Sequence, residues 1–218
     1  TGAAGEPPGR FIDVAMLEVL ASKICHDLIS PIGAVNNGVE LIEDMGPDAG
    51  PEATALIAFS AQQASAKLQA FRMAYGIGGA DSNIKPEDVH KAIELLITQD
   101  KKIKQEWNPN GGIGGATPAK GFSKILICAI LLGMECLPKG GTISVVQGSD
   151  SETAIVAKGE NASLRGQTEE ALGLKLDAQT LDPKYVHAMM TGLLAERHGF
   201  KVTAKDSGQG FISITIRS

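Results

Sequence analysis

The chain has 218 residues, of which 43% are hydrophobic, and its formal net charge is −5. This length suits one large or two small domains, and the negative charge argues against a nucleic-acid partner. No apolar run reaches the ~18 residues that cross a membrane, and we find no signal peptide, so we expect no membrane partner. The three cysteines are odd in number and lack zinc-ligand spacing, which suggests a reducing compartment, so we expect a cytoplasmic protein.

Residues 1–10 contain two prolines and three glycines and are predicted to be a flexible tail. The first helix is predicted over about residues 13–44, because apolar side chains recur at spacings of three and four. They would form one buried stripe, made of Leu17, Ala21, Ile24, Leu28, Ile32, Val35, Val39 and Ile42. At about 100° per residue, His26 points about 165° away from the centre of that stripe, so its ring should face solvent.

A segment rich in glycine and proline, residues 45–51, ends this helix, and a second helix should start at Pro51 or Glu52 and end at residues 76–79. Its apolar residues follow a heptad seam, made of Ile57, Ala61, Ala64, Leu68, Phe71 and Tyr75. Residues 11–79 are therefore predicted to be an antiparallel helical hairpin. One hairpin buries only one seam, so we expect two copies to form a homodimeric four-helix bundle. The alternative is that the hairpin packs against the second half of its own chain.

Residues 83–218 change character and alternate between helices and strands. Helices are predicted from Pro86 to about residue 97, over 120–137, and over 183–198 with Gly199 closing the last one. Strands are predicted at 102–107, 142–147, 153–158, 201–205 and 211–216. This order predicts a two-layer α/β sandwich, and the whole chain is then an α+β protein.

The first predicted helix combines a histidine, an adjacent acid and a proline five residues past the histidine. A proline inside a helix removes one backbone hydrogen bond and costs about 3 kcal/mol, so it usually has a local reason. Pro31 would leave the carbonyl of Asp27 without its helical partner and would bend the helix beside His26. A lone histidine is ordinarily a surface or core residue, but this context favours a reactive site.

This stretch resembles the H-box of two-component histidine kinases, His-Glu/Asp-Leu-x-x-Pro-Leu/Ile, at every defining position: His26-Asp27-Leu28-Ile29-Ser30-Pro31-Ile32. The resemblance implies that His26 carries a phosphoryl group on a ring nitrogen and that Asp27 orients or deprotonates the ring. Neutral imidazole suits this role, since it is nucleophilic and common near pH 7. The outer face around His26 is predicted to dock receiver domains through Ser22, Lys23, Ser30, Gly33 and Asn37.

Residues 83–218 resemble the ATP-binding domain of histidine kinases, most clearly at 138–145, 192–199 and 208–210. The nucleotide-binding residues of that family are missing, however. The asparagines that hold magnesium would fall near Cys128 and Leu132, and the adenine-reading aspartate would fall near Lys158. We therefore predict a degenerate domain that binds no ATP, no other cofactor and no metal. Any magnesium in the reaction should belong to the partner receiver domain.

An H-box hairpin joined to a degenerate kinase-like domain is similar to the ChpT-type histidine phosphotransferases. The resemblance implies a phosphorelay in cell-cycle control, in which His26 accepts a phosphoryl group from a receiver aspartate of a hybrid kinase and passes it to a response regulator receiver. Two alternatives stay open. ATP-dependent self-labelling would identify an ATP-using histidine kinase, and failure to accept from any phosphorylated receiver would favour a non-catalytic dimeric scaffold with a vestigial H-box.

Overall fold

The computed structural model of the protein describes residues 13–46, 50–76, 84–98, 102–149 and 151–218. The described helices are α1 (Val14–Met45), α2 (Gly50–Tyr75), α3 (Pro86–Thr98), α4 (Phe122–Glu135), α5 (Thr168–Leu172) and α6 (Val186–His198). The described strands are β1 (Ile103–Gln105), β2 (Gly141–Ser149), β3 (Glu152–Lys158), β4 (Lys201–Asp206) and β5 (Phe211–Arg217). A helical hairpin followed by a mixed sheet with helices confirms the predicted α+β fold class. The predicted tail, residues 1–10, lies outside the described residues.

Helices α1 and α2 form the predicted hairpin. Helix α1 begins at the N-cap Asp13, whose carboxylate accepts the backbone N–H of Ala15 at 2.9 Å. The two helices lie close together at Gly38, where an added Cβ would lie only 2.6 Å from Cγ1 of Ile57. The absence of a side chain at this position therefore allows the helices to touch.

None of the larger apolar side chains predicted to be buried in the hairpin is fully buried in the single chain, and about half of them are exposed. Leu17 and Ile32 are each 50% exposed, and Leu68 is 56% exposed. Helix α2 instead buries small residues, namely Ala53, Ser60, Ala66, Ala70 and Ala74. Of these, Ala70 and Ala74 join the hydrophobic core of the second half, whereas Ala53 lies beside Gly38 of α1. Much of the apolar stripe stays uncovered in the single chain.

The second half contains a five-stranded sheet in the order β1-β2-β3-β5-β4. The β1–β2 pair is parallel, and the other neighbours are antiparallel. Helix α4 packs on this sheet and is buried along nearly its whole length, as its apolar sequence predicts. The same hydrophobic core includes Ala70 and Ala74 of α2, so the end of the hairpin is packed directly against α4.

Several boundaries differ from the predictions. Helix α5 and a 3₁₀ turn at Ala178–Thr180 are not predicted, because elements of five and three residues are too short to show a helical period. The helix predicted from residue 183 starts with a 3₁₀ turn, Pro183–Tyr185, and continues as α6.

No helix among the described residues has the length and apolar character that crossing a bilayer requires.

Candidate functional site

The ring of His26 projects from the outer surface of α1. Its side chain is 87% exposed, which agrees with the helical angle worked out from the sequence. Its Nδ1 lies 3.4 Å from Oδ1 of Asp27. Because a carboxylate can only accept a hydrogen bond, this contact favours a proton on Nδ1 and leaves the lone pair on Nε2.

The carboxylate of Asp27 belongs to a chain of charges that reaches the second half of the protein. The ammonium of Lys23, one turn earlier on α1, lies 3.5 Å from Oδ2 of Asp27. The same ammonium lies 3.3 Å from Oε1 of Glu135 at the end of α4. Partly exposed ion pairs contribute little free energy. Their consequence here is geometric, since they join the acid beside His26 to α4.

The main chain of Asp27 is held from another direction. Pro31 has no N–H to offer the carbonyl of Asp27, and the ammonium of Lys67 on α2 donates to that oxygen at 2.9 Å. Sequence reasoning identified the freed carbonyl but missed Lys67. The missing backbone donor was a signal that some side chain of the antiparallel helix should replace it.

The predicted docking residues differ in their exposure to solvent. Ser22, Ser30 and Asn37 are exposed. Gly33 faces open space, with no atom within 4 Å of an added Cβ. Lys23, by contrast, reaches toward Glu135 and is only 26% exposed.

One neighbour of the phosphoacceptor candidate was not singled out from the sequence. Ile29 follows His26 by one helical turn and is 69% exposed. A large exposed apolar side chain beside an exposed imidazole adds an apolar element to this surface.

A cavity of about 450 Å³ lies beneath this site, between the hairpin and the second half of the chain. It is lined by Asp27, Lys67 and Tyr75 of the hairpin and by Glu135 and His187 of the second half. The Nε2 of His187 is 2.9 Å from the carbonyl oxygen of Cys128, so this nitrogen carries the proton and donates. Its Nδ1 then accepts from the hydroxyl of Tyr75.

Burial sets the ionisation of this second histidine and its partner. Burial lowers the pKa of His187 and raises the pKa of Tyr75, so both groups stay neutral. A neutral, fully hydrogen-bonded ring in the core is typical of a structural role.

Three positions were predicted to fall where the kinase family has nucleotide-binding residues. Cys128 and Leu132 are buried inside the core, and burial raises the pKa of the Cys128 thiol to about 12. Lys158 ends β3 with its ammonium 5.1 Å from the ring centroid of Phe211. Across the described ranges, no group of three or more histidine, cysteine, aspartate or glutamate side chains is arranged to hold a metal ion.

Comparisons with known proteins agree with this architecture. The family model for the histidine phosphotransferase C-terminal domain matches residues 86–210. Protein phosphotransferase ChpT of Brucella abortus (strain 2308) is 33% identical over 198 residues, which cover 89% of this chain and 91% of that protein. A solved structure described as a bacterial phosphotransferase superposes with a TM-score of 0.75 at 30% identity, covering 95% of this chain and 98% of its own. The chain therefore belongs to the ChpT-type histidine phosphotransferase family.

Proposed function

We propose that the protein is a phosphorelay intermediate that carries a phosphoryl group on His26. The group comes from the phosphorylated receiver aspartate of a hybrid histidine kinase and leaves to the receiver aspartate of a response regulator, in cell-cycle control and in the cytoplasm. The observation that carries this proposal is the exposed imidazole of His26, hydrogen-bonded to Asp27 inside an H-box helix. The family relationship supports it.

The geometry supports Nε2 as the attacking atom. Its lone pair forms the N–P bond while the bond from phosphorus to the aspartyl oxygen of the donor breaks, and the donor leaves as a carboxylate. The ring then holds an extra positive charge, which Asp27 stabilises at Nδ1–H until that proton is lost. Transfer to the acceptor reverses these bonds. Positioning and charge neutralisation supply most of the catalysis of phosphoryl transfer, and magnesium is bound by the receiver.

The same proposal includes a homodimer through the hairpin. It is supported by the apolar side chains of α1 and α2 that are exposed in one chain, among them Leu17, Ile32, Val39, Ile42 and Leu68. Burying such side chains against a second hairpin stabilises a bundle by about 25 cal/mol for each Å² removed from water.

The second domain is proposed to bind no ATP and to act as a further docking surface for receivers. Cys128 and Leu132 are buried where a kinase would present magnesium-binding asparagines, and the position of the adenine-binding carboxylate is occupied by Lys158. A buried charged hydrogen bond that is lost costs about 2–5 kcal/mol. This argues for transfer between receivers over ATP-dependent self-phosphorylation.

The test is incubation with a panel of phosphorylated receiver domains. We expect a label that is stable in base and lost in acid, as phosphohistidine is, and that is absent from His26→Gln. His90→Gln is the matched control, because it removes a different helical imidazole, which packs edge-on against Trp107. The proposal is contradicted if His26→Gln is still labelled. It is also contradicted if none of the phosphorylated receivers labels the unmodified protein.

A further inference from the structure

The unusual feature next to His26 is a backbone carbonyl that is bonded to a side chain of another helix. In an uninterrupted helix the carbonyl of Asp27 would accept the N–H of residue 31, but that residue is proline. Lys67 donates to this oxygen from α2, 40 residues away, with a distance of 2.9 Å. A charged donor makes a stronger hydrogen bond than a backbone amide does.

The part of α2 that carries Lys67 is fixed by packing. Ala66 is 5% exposed and Ala70 is 1% exposed, so the backbone on either side of Lys67 lies against the rest of the molecule. A lysine usually extends its ammonium into water. Here the half-buried side chain ends on a main-chain oxygen at the edge of the cavity, which connects a well-packed part of α2 to the proline-containing turn of α1.

His26 itself has almost no packing to hold it. Its ring is 87% exposed, and its contact is with Asp27, the residue whose carbonyl Lys67 holds. Lys23 holds the carboxylate of the same residue. Asp27 is thus fixed at its main chain and at its side chain, and the direction of the neighbouring imidazole follows from both.

We infer that Lys67 is a positioning residue for the phosphoryl transfer that His26 performs. It replaces the helical hydrogen bond that Pro31 removes and so keeps Asp27, and through it the imidazole, in the reactive direction. The inference rests on the proposed function of His26. Lys67 acts through Asp27 and does not contact the phosphoryl group.

Two variants and a control separate this role from a docking role. Lys67→Met keeps the length of the apolar stem and removes the ammonium, whereas Lys67→Arg retains a cationic donor. Arg72→Met is the matched control, because it removes a positive charge from an exposed site on the same helix. Urea unfolding at the assay temperature establishes that each variant is folded.

The first measurement is single-turnover transfer from a phosphorylated receiver at increasing receiver concentration. For Lys67→Met we expect the maximal rate to fall about tenfold with the half-saturating concentration unchanged within about twofold, since small displacements of a reacting group cost large factors in rate. Lys67→Arg should recover most of the rate, and Arg72→Met should match the unmodified protein. Labelling by phosphoramidate, a small donor that needs no docking surface, should fall in parallel.

A second measurement needs no donor. Proton–nitrogen correlation spectra of the imidazoles report which nitrogen of His26 carries the proton, and Lys67→Met should shift the ring from mainly Nδ1–H toward a mixture of both forms. Unchanged rates and an unchanged spectrum would overturn the inference. A loss confined to receiver affinity would also overturn it, because Lys67 would then be a docking residue. If the unmodified protein accepts no phosphoryl group at all, the proposed function fails, and this inference fails with it.

Discussion

His187 should make the protein less stable in mild acid, because the fold buries this ring in its neutral form. The ring is 2% exposed, donates to the carbonyl of Cys128 and accepts from the hydroxyl of Tyr75. Burial lowers its pKa below the ordinary value of 6.5. Protonation of Nδ1 would place a positive charge in the core. It would also set a second N–H of the ring against the Tyr75 hydroxyl, which already donates to that nitrogen.

The sign and the size of the effect follow from proton linkage. Below about pH 6.5 the unfolded ring binds a proton and the folded ring does not, so acid favours the unfolded state. This contribution to stability is fully present above pH 6.5 and declines as the pH falls, until the lowered folded pKa is reached. The limiting slope is about 1.36 kcal/mol per pH unit, which amounts to about 1.4 kcal/mol at pH 5.5 when the folded pKa is well below that pH.

The assay is urea unfolding of the unmodified protein and His187→Gln between about pH 5.5 and 7.5. Glutamine retains one donor and one acceptor but does not titrate, so the stability advantage of the unmodified protein should shrink across this range, by at most about 1.4 kcal/mol. Asn37→Gln changes an exposed side chain that carries no titratable group, and it is the control variant for which the difference should stay constant. Parallel pH curves for the unmodified protein and His187→Gln would refute the reasoning.

Three further predictions concern the surface and the core. Gly33→Trp should block transfer from receivers without changing the oligomeric state, because it fills open space near His26; unchanged transfer rates would mean that receivers dock elsewhere. Leu68→Glu should convert the proposed dimer to a monomer in light scattering at micromolar concentration, since a buried unpaired charge costs about 3 kcal/mol; a monomer mass for the unmodified protein would contradict this. Calorimetry with ATP and magnesium should give no binding heat, and micromolar affinity would revive the kinase alternative.

The sequence by itself determined the local structure. Spacings of three and four placed α1 and the outward direction of His26, and the uninterrupted apolar run of α4 predicted a buried helix. The H-box pattern also indicated that the carbonyl of Asp27 lacks a helical donor. These inferences succeeded because helical geometry and the chemistry of proline act within a few residues.

The tertiary structure alone decided which distant side chains meet at the site and in the core beside it. Lys67 is 40 residues from the carbonyl that it holds, and Tyr75 is 112 residues from His187. Periodicity shows which face of a helix is apolar, but it does not show what covers that face or which polar group lies opposite. Those partners depend on how two helices and a sheet pack together, which no local pattern contains. For the same reason the apolar stripe of α1 could be identified from sequence, whereas its exposure in the single chain could not.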